Sequence, residues 1–327
     1  HVKLKRAPTP QYSRDPEAFA LYLEGRYYWN KRTGESILKA IACLERALDR
    51  DASIASAWAG LADCHLMLPA ISGTPIAEAL RTAKTAAQNA LTIDDTLADA
   101  HSSLGCISAL YEYDWPGAET CFQRALDANP NHANSHLFYA AVVLAPAGRL
   151  EEAGVHVRRA CELDPLSPNI TTALAMHLLS VRQYDEAIAT CRRSLEFDPA
   201  LPWTYRSMGE AYLMQGLLDE AANAFSKPNA PAFAAGMLGY CYARSGRVPE
   251  ARSLLRNLTG MDNPMLACQI AILHLGLCDY DAAFDSLYRA CSEHNLGIQW
   301  LKVEPIWDEL RPDPRFLTAL RQIGLDN

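Results

Sequence analysis

The sequence predicts an all-α fold, a right-handed superhelical α-solenoid of about eight helix-turn-helix repeats with a C-terminal capping helix. The first observation behind this prediction is a fixed period. Ala153 recurs as Ala187 and Ala221, and Pro165 recurs as Pro199, each time 34 residues further on. The second is composition, because half of the residues are hydrophobic and the chain is rich in Ala and Leu. Repeats of this kind pack on their neighbours and bury one continuous core.

The repeat carries a signature that explains why it folds as a helical hairpin. The first helix reads Trp-x2-Leu-Gly-x2-Tyr and the second reads Ala-x3-Phe-x2-Ala-x4-Pro. Residues three, four and seven positions apart share one helix face, so each helix has a single apolar side. A small residue in the first helix allows the second helix to approach closely. The closing Pro ends the second helix, since proline cannot continue it.

The elements follow in order along the chain. Residues 1–15 read as a linker from a missing upstream domain, residues 16–295 as eight repeats, and residues 296–327 as a capping segment. First-helix landmarks are Leu21 and Gly25, Trp58 and Leu61, Leu104 and Gly105, Leu137 and Ala140, Leu174 and Ala175, Met208 and Gly209, Leu238 and Gly239, and Ile270 and Ala271. Second-helix landmarks are Ala40 and Ala47, Ala83 and Ala90, Ala118 and Phe122, Ala153 and Ala160, Ala187, Ala221, Ala251, and Ala283 and Ala290.

The period fails in three places. An insertion is expected at about Met67 to Pro75, and Lys227-Pro228 is expected to stop the second helix of repeat six early. In the tail, residues 301–305 read as extended and residues 308–310 as a short turn. Residues 314–324 read as an amphipathic helix. A repeat array needs an atypical end unit to cover its last apolar face, and we assign the tail that role.

Charge and cysteine content restrict the class of protein. The net charge of −8 argues against direct nucleic-acid binding, which needs a clustered basic surface. Ten cysteines without a Cys-x-x-Cys pair favour a reducing compartment and hence a cytoplasmic location. The sequence shows no apolar run of the roughly 18 residues that a membrane span requires. Because the chain begins at His1, we expect it to be a piece of a longer protein.

The sequence gives no indication of catalysis. It has no Gly-rich phosphate loop, no Gly-x-Ser-x-Gly and no His-Glu-x-x-His. His132 and His136 are four residues apart and could face one way, but no third ligand of matching spacing follows. Most carboxylates fall at helix ends, where they favour the helix dipole. We therefore predict neither an enzyme nor a cofactor, and no metal site.

The candidate binding residues lie on the first helices, at positions that do not face a neighbouring helix. The first helices are expected to line the concave surface, and aromatic residues beside Arg are typical of binding hot spots. Repeats six and seven hold the preferred site, and repeat one holds a second group. An alternative is that some of these aromatics only pack on the next repeat or on the tail. The candidates are Trp203, Arg206, Glu210, Met214, Phe233, Tyr240, Arg244, Tyr22, Arg26 and Trp29.

The repeats resemble the tetratricopeptide repeat family over about residues 16–292. The opening Glu17-Ala18-Phe19-Ala20-Leu21 through Tyr28-Trp29-Asn30 and the ending Leu-Lys-Val-Glu-Pro…Leu-Arg-Pro-Asp-Pro-Arg-Phe are similar to one bacterial group of such arrays. In that group the array follows a CadC/ToxR-like winged-helix domain, often with a TolB-like domain, or else a serine/threonine kinase or a nucleotide cyclase. The resemblance implies a signalling role.

The function expected from these observations is that of a non-catalytic interaction and sensor module of a bacterial signalling or transcriptional regulator. It would bind a peptide or protein partner on its concave face, and its oligomeric state stays open. Two alternatives remain. The array could regulate an attached kinase or cyclase, or it could hold a small molecule inside the superhelix.

Overall fold

The structure is a computed structural model that describes residues 15–31, 33–72, 74–199, 201–227, 234–261, 263–295 and 297–326. These residues form 17 α-helices with short 3₁₀ and π turns, and they contain no β-strand. The α-helices are α1 Pro16–Lys31, α2 Gly34–Arg50, α3 Ala55–Ser72, α4 Ile76–Ile93, α5 Ala98–Leu110, α6 Trp115–Ala128, α7 Ala133–Tyr139, α8 Leu150–Leu163, α9 Pro168–Ser180, α10 Tyr184–Phe197, α11 Pro202–Met214, α12 Leu218–Phe225, α13 Ala235–Arg244, α14 Val248–Thr259, α15 Ala267–Gly276, α16 Tyr280–Ser292 and α17 Pro314–Gln322.

Helices α1 to α16 form eight consecutive hairpins, and α17 closes the chain. Within a hairpin the two helices pack on each other, as α1 packs on α2 and α15 on α16. The second helix presents small alanines at the contact, among them Ala40, Ala187 and Ala283, all fully buried. Asp51 and Asp198 end two of the second helices, and each donates its backbone N–H to the carbonyl four residues before it. The predicted all-α series of about eight hairpins with a closing helix is confirmed.

The hairpins fall into two compact units. The first contains the residues up to Glu112 and Pro116–Ser135, and the second contains Tyr113–Trp115 and His136–Asn327. Residues 1–14 lie outside the described part of the chain, so the predicted linker is not described. The predicted division at residues 15 and 295 stays a prediction.

Trp29 is a core residue of the first unit. Its side chain is only 3% exposed and packs in a cluster with Ile37 and Leu44 of the neighbouring helix. Trp29 comes four residues after Gly25, so both lie on the side of α1 that faces α2. Contrary to the expectation from the sequence, Trp29 therefore does not lie on an exposed binding surface. The face of α1 that packs on α2 extends to the last turn of α1, which contains Trp29.

Hairpins two and four each contain an irregular segment in or after the first helix. The insertion after Met67 mostly lengthens the first helix of hairpin two, since α3 continues to Ser72. In hairpin four, a π-helical turn, Ala140–Leu144, follows α7. The carbonyl of Ala141 would need an N–H five residues on, but that residue is Pro146, which has none. The π turn therefore leaves this carbonyl available to another part of the chain.

The tail, residues 297–326, is more compact than the sequence indicated. The stretch expected to be extended, residues 301–305, contains a turn at residues 301–303 and the first residue of a 3₁₀ helix, Pro305–Trp307, and it follows another 3₁₀ helix, Ile298–Trp300. The turn expected at residues 308–310 is present. In α17 the apolar side formed by Phe316 and Leu320 is buried, as an end cap requires.

Gly236 lies at the close contact between α13 and α15, and its substitution tests how tight that contact is. A Cβ atom at this position would lie 2.2 Å from the backbone carbonyl oxygen of Gln269. We expect Gly236→Ala to lower the free energy of unfolding by about 1–3 kcal/mol in urea denaturation, because backbone atoms cannot move aside cheaply. In the control Gly60→Ala the nearest atom is Leu44 Cδ1 at 3.1 Å, the end of a side chain. A similar cost for both variants would contradict the proposed tight contact.

Candidate functional site

The tail fills the first-helix face of the second unit, meaning the surface formed there by the first helices of the hairpins. Arg206 of α11 is only 4% exposed, and its Nη2 donates to Glu304 Oε1 of the tail at 3.0 Å and contacts Glu210 Oε1 at 2.8 Å. The indole Nε1 of Trp300 donates to the free carbonyl of Ala141 at 2.7 Å. The π turn of hairpin four and the arginine of hairpin six thus both bind the tail.

Two further ion pairs join the tail to hairpins five and seven. Arg182, in the turn before α10, contacts Asp308 Oδ2 at 2.7 Å. Arg244, at the end of α13, pairs with Glu309, which also accepts a hydrogen bond from the hydroxyl of Tyr280 at 2.7 Å. Carboxylates of the tail therefore meet basic groups of three successive hairpins.

The tail is an integral part of the second unit because its apolar side chains are buried in the core. Leu301, Trp307 and Leu310 are at most 1% exposed. Burying a large apolar side chain contributes about 1.5–3 kcal/mol, so removing all three from the core would cost several kcal/mol. A partner is therefore not expected to displace this segment.

The pKa of Glu210 is raised well above the usual range of a glutamate. The cause is burial, which the charge of Arg206 opposes and the nearby carboxylate of Glu304 reinforces. Two carboxylates contact one guanidinium nitrogen here, and the charge of Glu304 disfavours a second negative charge on Glu210. This arrangement is an internal structural contact.

The other candidates of repeats six and seven are also engaged with the chain itself. Met214 lines a mostly apolar cavity together with Glu210 and Trp300. Trp203 is half-buried beside Arg206, and the Arg244 guanidinium lies 5.1 Å from the ring centre of Tyr240. Phe233 lies outside the described residues. A partner-binding role for this group stays a prediction, but the tail covers Arg206 and Glu210.

The first unit brings together a charged cluster, defined here as Arg26, Asp63, Asp99 and His132. These residues belong to α1, α3, α5 and the start of hairpin four, about one repeat length apart. Arg26 Nη1 lies 3.9 Å from Asp63 Oδ2 and 4.0 Å from Asp99 Oδ1, beyond hydrogen-bonding distance. Tyr22, half-buried one turn before Arg26, borders the cluster.

Arg26 is held near the carboxylates without being saturated by them. Its side chain is 24% exposed, and among the described residues no acceptor lies within hydrogen-bonding distance of its guanidinium. Asp63 instead accepts a hydrogen bond from the hydroxyl of Ser103 at 2.7 Å. Arg26 therefore keeps donors available to an incoming acceptor.

Asp99 and His132 form an ion pair within the cluster. Their closest atoms, Asp99 Oδ1 and His132 Nε2, are 3.4 Å apart, and His132 Nδ1 contacts Ser135 Oγ at 2.6 Å. Burial opposes the charge of Asp99, but His132 and Arg26 outweigh it and lower the pKa of Asp99 to about 2. Burial likewise opposes the charge of His132, yet Asp99 raises its pKa above the ordinary value.

Sequence reasoning identified Tyr22 and Arg26 but missed Asp99 and His132 as members of a site. His132 was considered only together with His136, as a possible metal ligand. The signal that could have found both is the recurrence of charged residues on successive first helices at about the repeat length. Charge periodicity is weaker than apolar periodicity, because solvent tolerates charges at most surface positions.

The structure adds two further observations on candidate sites. His136 Nδ1 lies 2.8 Å from His156 Nδ1, and within the described part of the chain no group of three or more His, Cys, Asp or Glu residues could hold a metal ion. Among those same residues, no helix is both long and apolar enough to cross a membrane.

Comparisons with known proteins identify the repeat. The tetratricopeptide repeat model matches residues 22–73 and 107–168. The structure of a Rap protein complexed with competence and sporulation factor is similar, with a TM-score of 0.62 at 14% identity, over 94% of each chain. The APC/C hetero-tetramer Cut9-Hcn1 gives a TM-score of 0.52 at 15% identity, covering 97% of this chain and 66% of that chain. PilF of Pseudomonas aeruginosa gives 0.49 at 19% identity, covering 72% and 99%.

At these identities the solved structures show the fold alone. No curated protein matches the sequence significantly. Residues 22–73 and 107–168 therefore match tetratricopeptide repeats, and the described residues as a whole fold as a series of helical hairpins of that kind. Proteins built from such repeats generally mediate protein–protein interactions, because stacked repeats create extended binding surfaces.

Trp307 tests whether the tail is integral to the second unit. Trp307 is fully buried, and we expect Trp307→Ala to lower the free energy of unfolding by about 3–5 kcal/mol. The matched control is Leu317→Ala in α17, where the side chain is 41% exposed and the expected change is about 0.5 kcal/mol. Both are measured by urea denaturation, and equal costs would mean that the tail does not stay docked.

The Asp99–His132 pair predicts a dependence of stability on pH. The raised pKa of His132 gives a contribution that is complete below its unfolded-state pKa and is lost as pH rises through the folded-state pKa. The lowered pKa of Asp99 keeps its contribution intact until pH falls toward 2. We therefore expect His132→Gln to reduce the free energy of unfolding more at about pH 5 than at about pH 9. An equal reduction at both pH values would rule out a charged pair.

Proposed function

We propose that this chain is a non-catalytic protein-interaction module that binds a peptide or protein segment on the first-helix face of its first unit. The observation that carries the proposal is Arg26, a half-buried guanidinium with free donors, flanked by Asp63 and Asp99. A buried or partly buried donor without an acceptor is costly unless a ligand or water supplies one. Binding surfaces commonly use arginine next to an aromatic side chain, here Tyr22.

The charged cluster restricts the chemistry of the partner. Arginine binds a carboxylate with two parallel hydrogen bonds, so the partner segment presents a carboxylate to Arg26. Asp63 and Asp99 repel a second negative charge nearby, so the neighbouring groups of the partner are neutral or basic. The Rap structure, which is similar in fold, holds competence and sporulation factor, and it supports only the expectation that a chain of this fold has a partner.

The wider context is part of the same proposal. The similarity of both ends to one bacterial group of arrays supports a sensor module of a cytoplasmic signalling or transcriptional regulator. An attached kinase or cyclase is the alternative output. The ending of that resemblance includes Leu301 and Phe316, which the core buries, so its shared residues are explained by packing and say little about the partner.

A small-molecule receptor is a second candidate function, favoured by one observation. The cavity between the first-helix face of hairpins four to six and the tail is lined mostly by apolar groups such as Met176 and Met214, with the carboxylate of Glu210 at one side. Apolar walls with one convergent polar group are typical of ligand pockets. A ligand here would pair a neutral donor or a cation with Glu210.

Selection from a random peptide library tests the interaction function. Peptides enriched on the intact chain are measured by isothermal titration calorimetry against variants. We expect Arg26→Gln to weaken binding at least about tenfold, because the carboxylate of the peptide loses its paired donors.

The control variant removes the same charge elsewhere. Arg81 lies exposed on α4, a second helix, and Arg81→Gln is expected to leave the affinity within about twofold. Arg244→Gln examines the second unit. If peptides lose affinity with Arg244→Gln and keep it with Arg26→Gln, the binding face has been placed on the wrong unit.

A further inference from the structure

A second pocket opens between hairpins four and five, and it shares only His177 with the apolar cavity lined by Met176 and Met214. It opens between α8 and α10, the second helices of the two hairpins, and α9 forms its floor. Its volume is about 370 Å³, within the range of about 300–1,000 Å³ that small-molecule sites occupy. The lining combines apolar Leu174, Leu178 and Ala189 with several polar groups.

Three basic side chains converge on this arginine pocket, namely Arg158 of α8, His177 of α9 and Arg193 of α10. Within the described residues neither arginine has a carboxylate within 4.0 Å, although exposed Glu186 also lines the pocket. Arg193 Nη2 donates only to the hydroxyl of Thr190, at 3.2 Å. Unpaired arginines facing one pocket are unexpected in a chain of net charge −8, where acidic groups are abundant.

The arginines beside them behave differently. Arg159 pairs with Glu162 at 2.8 Å, and Arg192 donates to the hydroxyl of Tyr212 at 3.0 Å. Each Arg-Arg doublet therefore has one member with a protein partner outside the pocket and one member that faces the pocket. The unpaired state belongs to the pocket and is not a general property of arginines on these two helices.

Gly154 brings two of the basic groups together. A Cβ atom at this position would lie 2.7 Å from His177 Nε2 and 3.2 Å from Arg158 Nη1, so a larger residue would push one of these side chains aside. His177 Nδ1 is buried and makes no hydrogen bond. Burial, followed by the charge of Arg158, lowers the pKa of His177. The lowered pKa favours neutral His177, so the positive charge at this point is that of Arg158, and a bound anion would pair with it and favour protonation of His177.

We propose that the arginine pocket binds the oxyanion group of a small molecule, held between Arg158 and Arg193 with His177 beneath it. The planar guanidinium groups match the geometry of phosphate and carboxylate oxygens. The apolar part of the ligand packs against Leu174 and Leu178. The site is separate from the charged cluster of the first unit and does not depend on the proposed peptide-binding function.

The test uses the intact chain with inorganic phosphate, pyrophosphate and citrate as probes, at constant ionic strength, in isothermal titration calorimetry. We expect at least one probe to bind with a Kd of about 1 mM or tighter, as an oxyanion without the rest of its ligand should. Tighter binding of the phosphate probes indicates a phosphate ester as the ligand, and tighter binding of citrate indicates a carboxylate. If no probe binds at about 20 mM, the proposal is overturned.

A pair of charge-matched double variants locates the binding. Arg158→Gln with Arg193→Gln is expected to weaken binding at least about tenfold. Arg159→Gln with Arg192→Gln removes the same charge from the same two helices and is expected to leave the Kd within about twofold. An equal loss in both double variants would show attraction by net charge alone and would overturn the site. Arg158 and Arg193 are exposed, so both double variants are expected to fold, which thermal unfolding checks.

Discussion

The second unit depends on one buried charge, the guanidinium of Arg206. A charged group removed from water must be paired and hydrogen-bonded, or its burial costs several kcal/mol. Glu210, one turn further along the same helix, contacts Arg206 Nη2 at 2.8 Å. Glu304 supplies the second carboxylate from a segment 98 residues away in sequence. The tail is thereby held in one register, with Trp300 against the π turn of hairpin four and Glu309 against Arg244.

This constraint separates the two groups of arginines that the sequence placed on one surface. Arg206 and Arg244 have carboxylates of the tail as partners, so their charges stabilise the fold. Arg26 lies beside Asp63 and Asp99 at distances too long for hydrogen bonds. The difference matters because Arg206 and Arg244 each have a tail carboxylate at hydrogen-bonding distance, although Arg206 Nε and Nη1 and Arg244 Nε are buried without an acceptor among the described residues. Within that part of the chain Arg26 has no carboxylate that close, so a carboxylate of a partner would supply its first charge-assisted bonds. The presence or absence of a carboxylate from the same chain therefore distinguishes these arginines better than their residue type does.

The fold could be predicted largely from the sequence, and the site only in part. Every hairpin contains the same contact between two helices. Small residues such as Ala187 recur at each of these contacts, so the period of the hairpins is visible in the sequence. The contact between Arg206 and Glu304 is made once and has no period. Trp29 was wrongly assigned to the binding surface because a tryptophan is typical both of a buried helix face and of a partner-binding surface. The tail looked extended because its prolines break helices, yet its buried Leu301 and Trp307 are determined by the core they cover.

Residues at equivalent positions of two repeats have different neighbours. The same residue type can therefore be paired in one repeat and can line a pocket in the next. The Arg158-Arg159 and Arg192-Arg193 doublets occupy equivalent positions in hairpins four and five. Arg159 finds Glu162 in its own helix, and Arg192 reaches Tyr212 in the next hairpin. Arg158 and Arg193 line the pocket with His177. The position equivalent to Tyr212 is Leu178 for Arg158, and Arg193 donates to Thr190 although Glu196, the copy of Glu162, lies three residues further on. Identical sequence elements therefore produce a pocket with its own charge only at the junction between two repeats, and such junctions are the places to examine for ligands in a regular array.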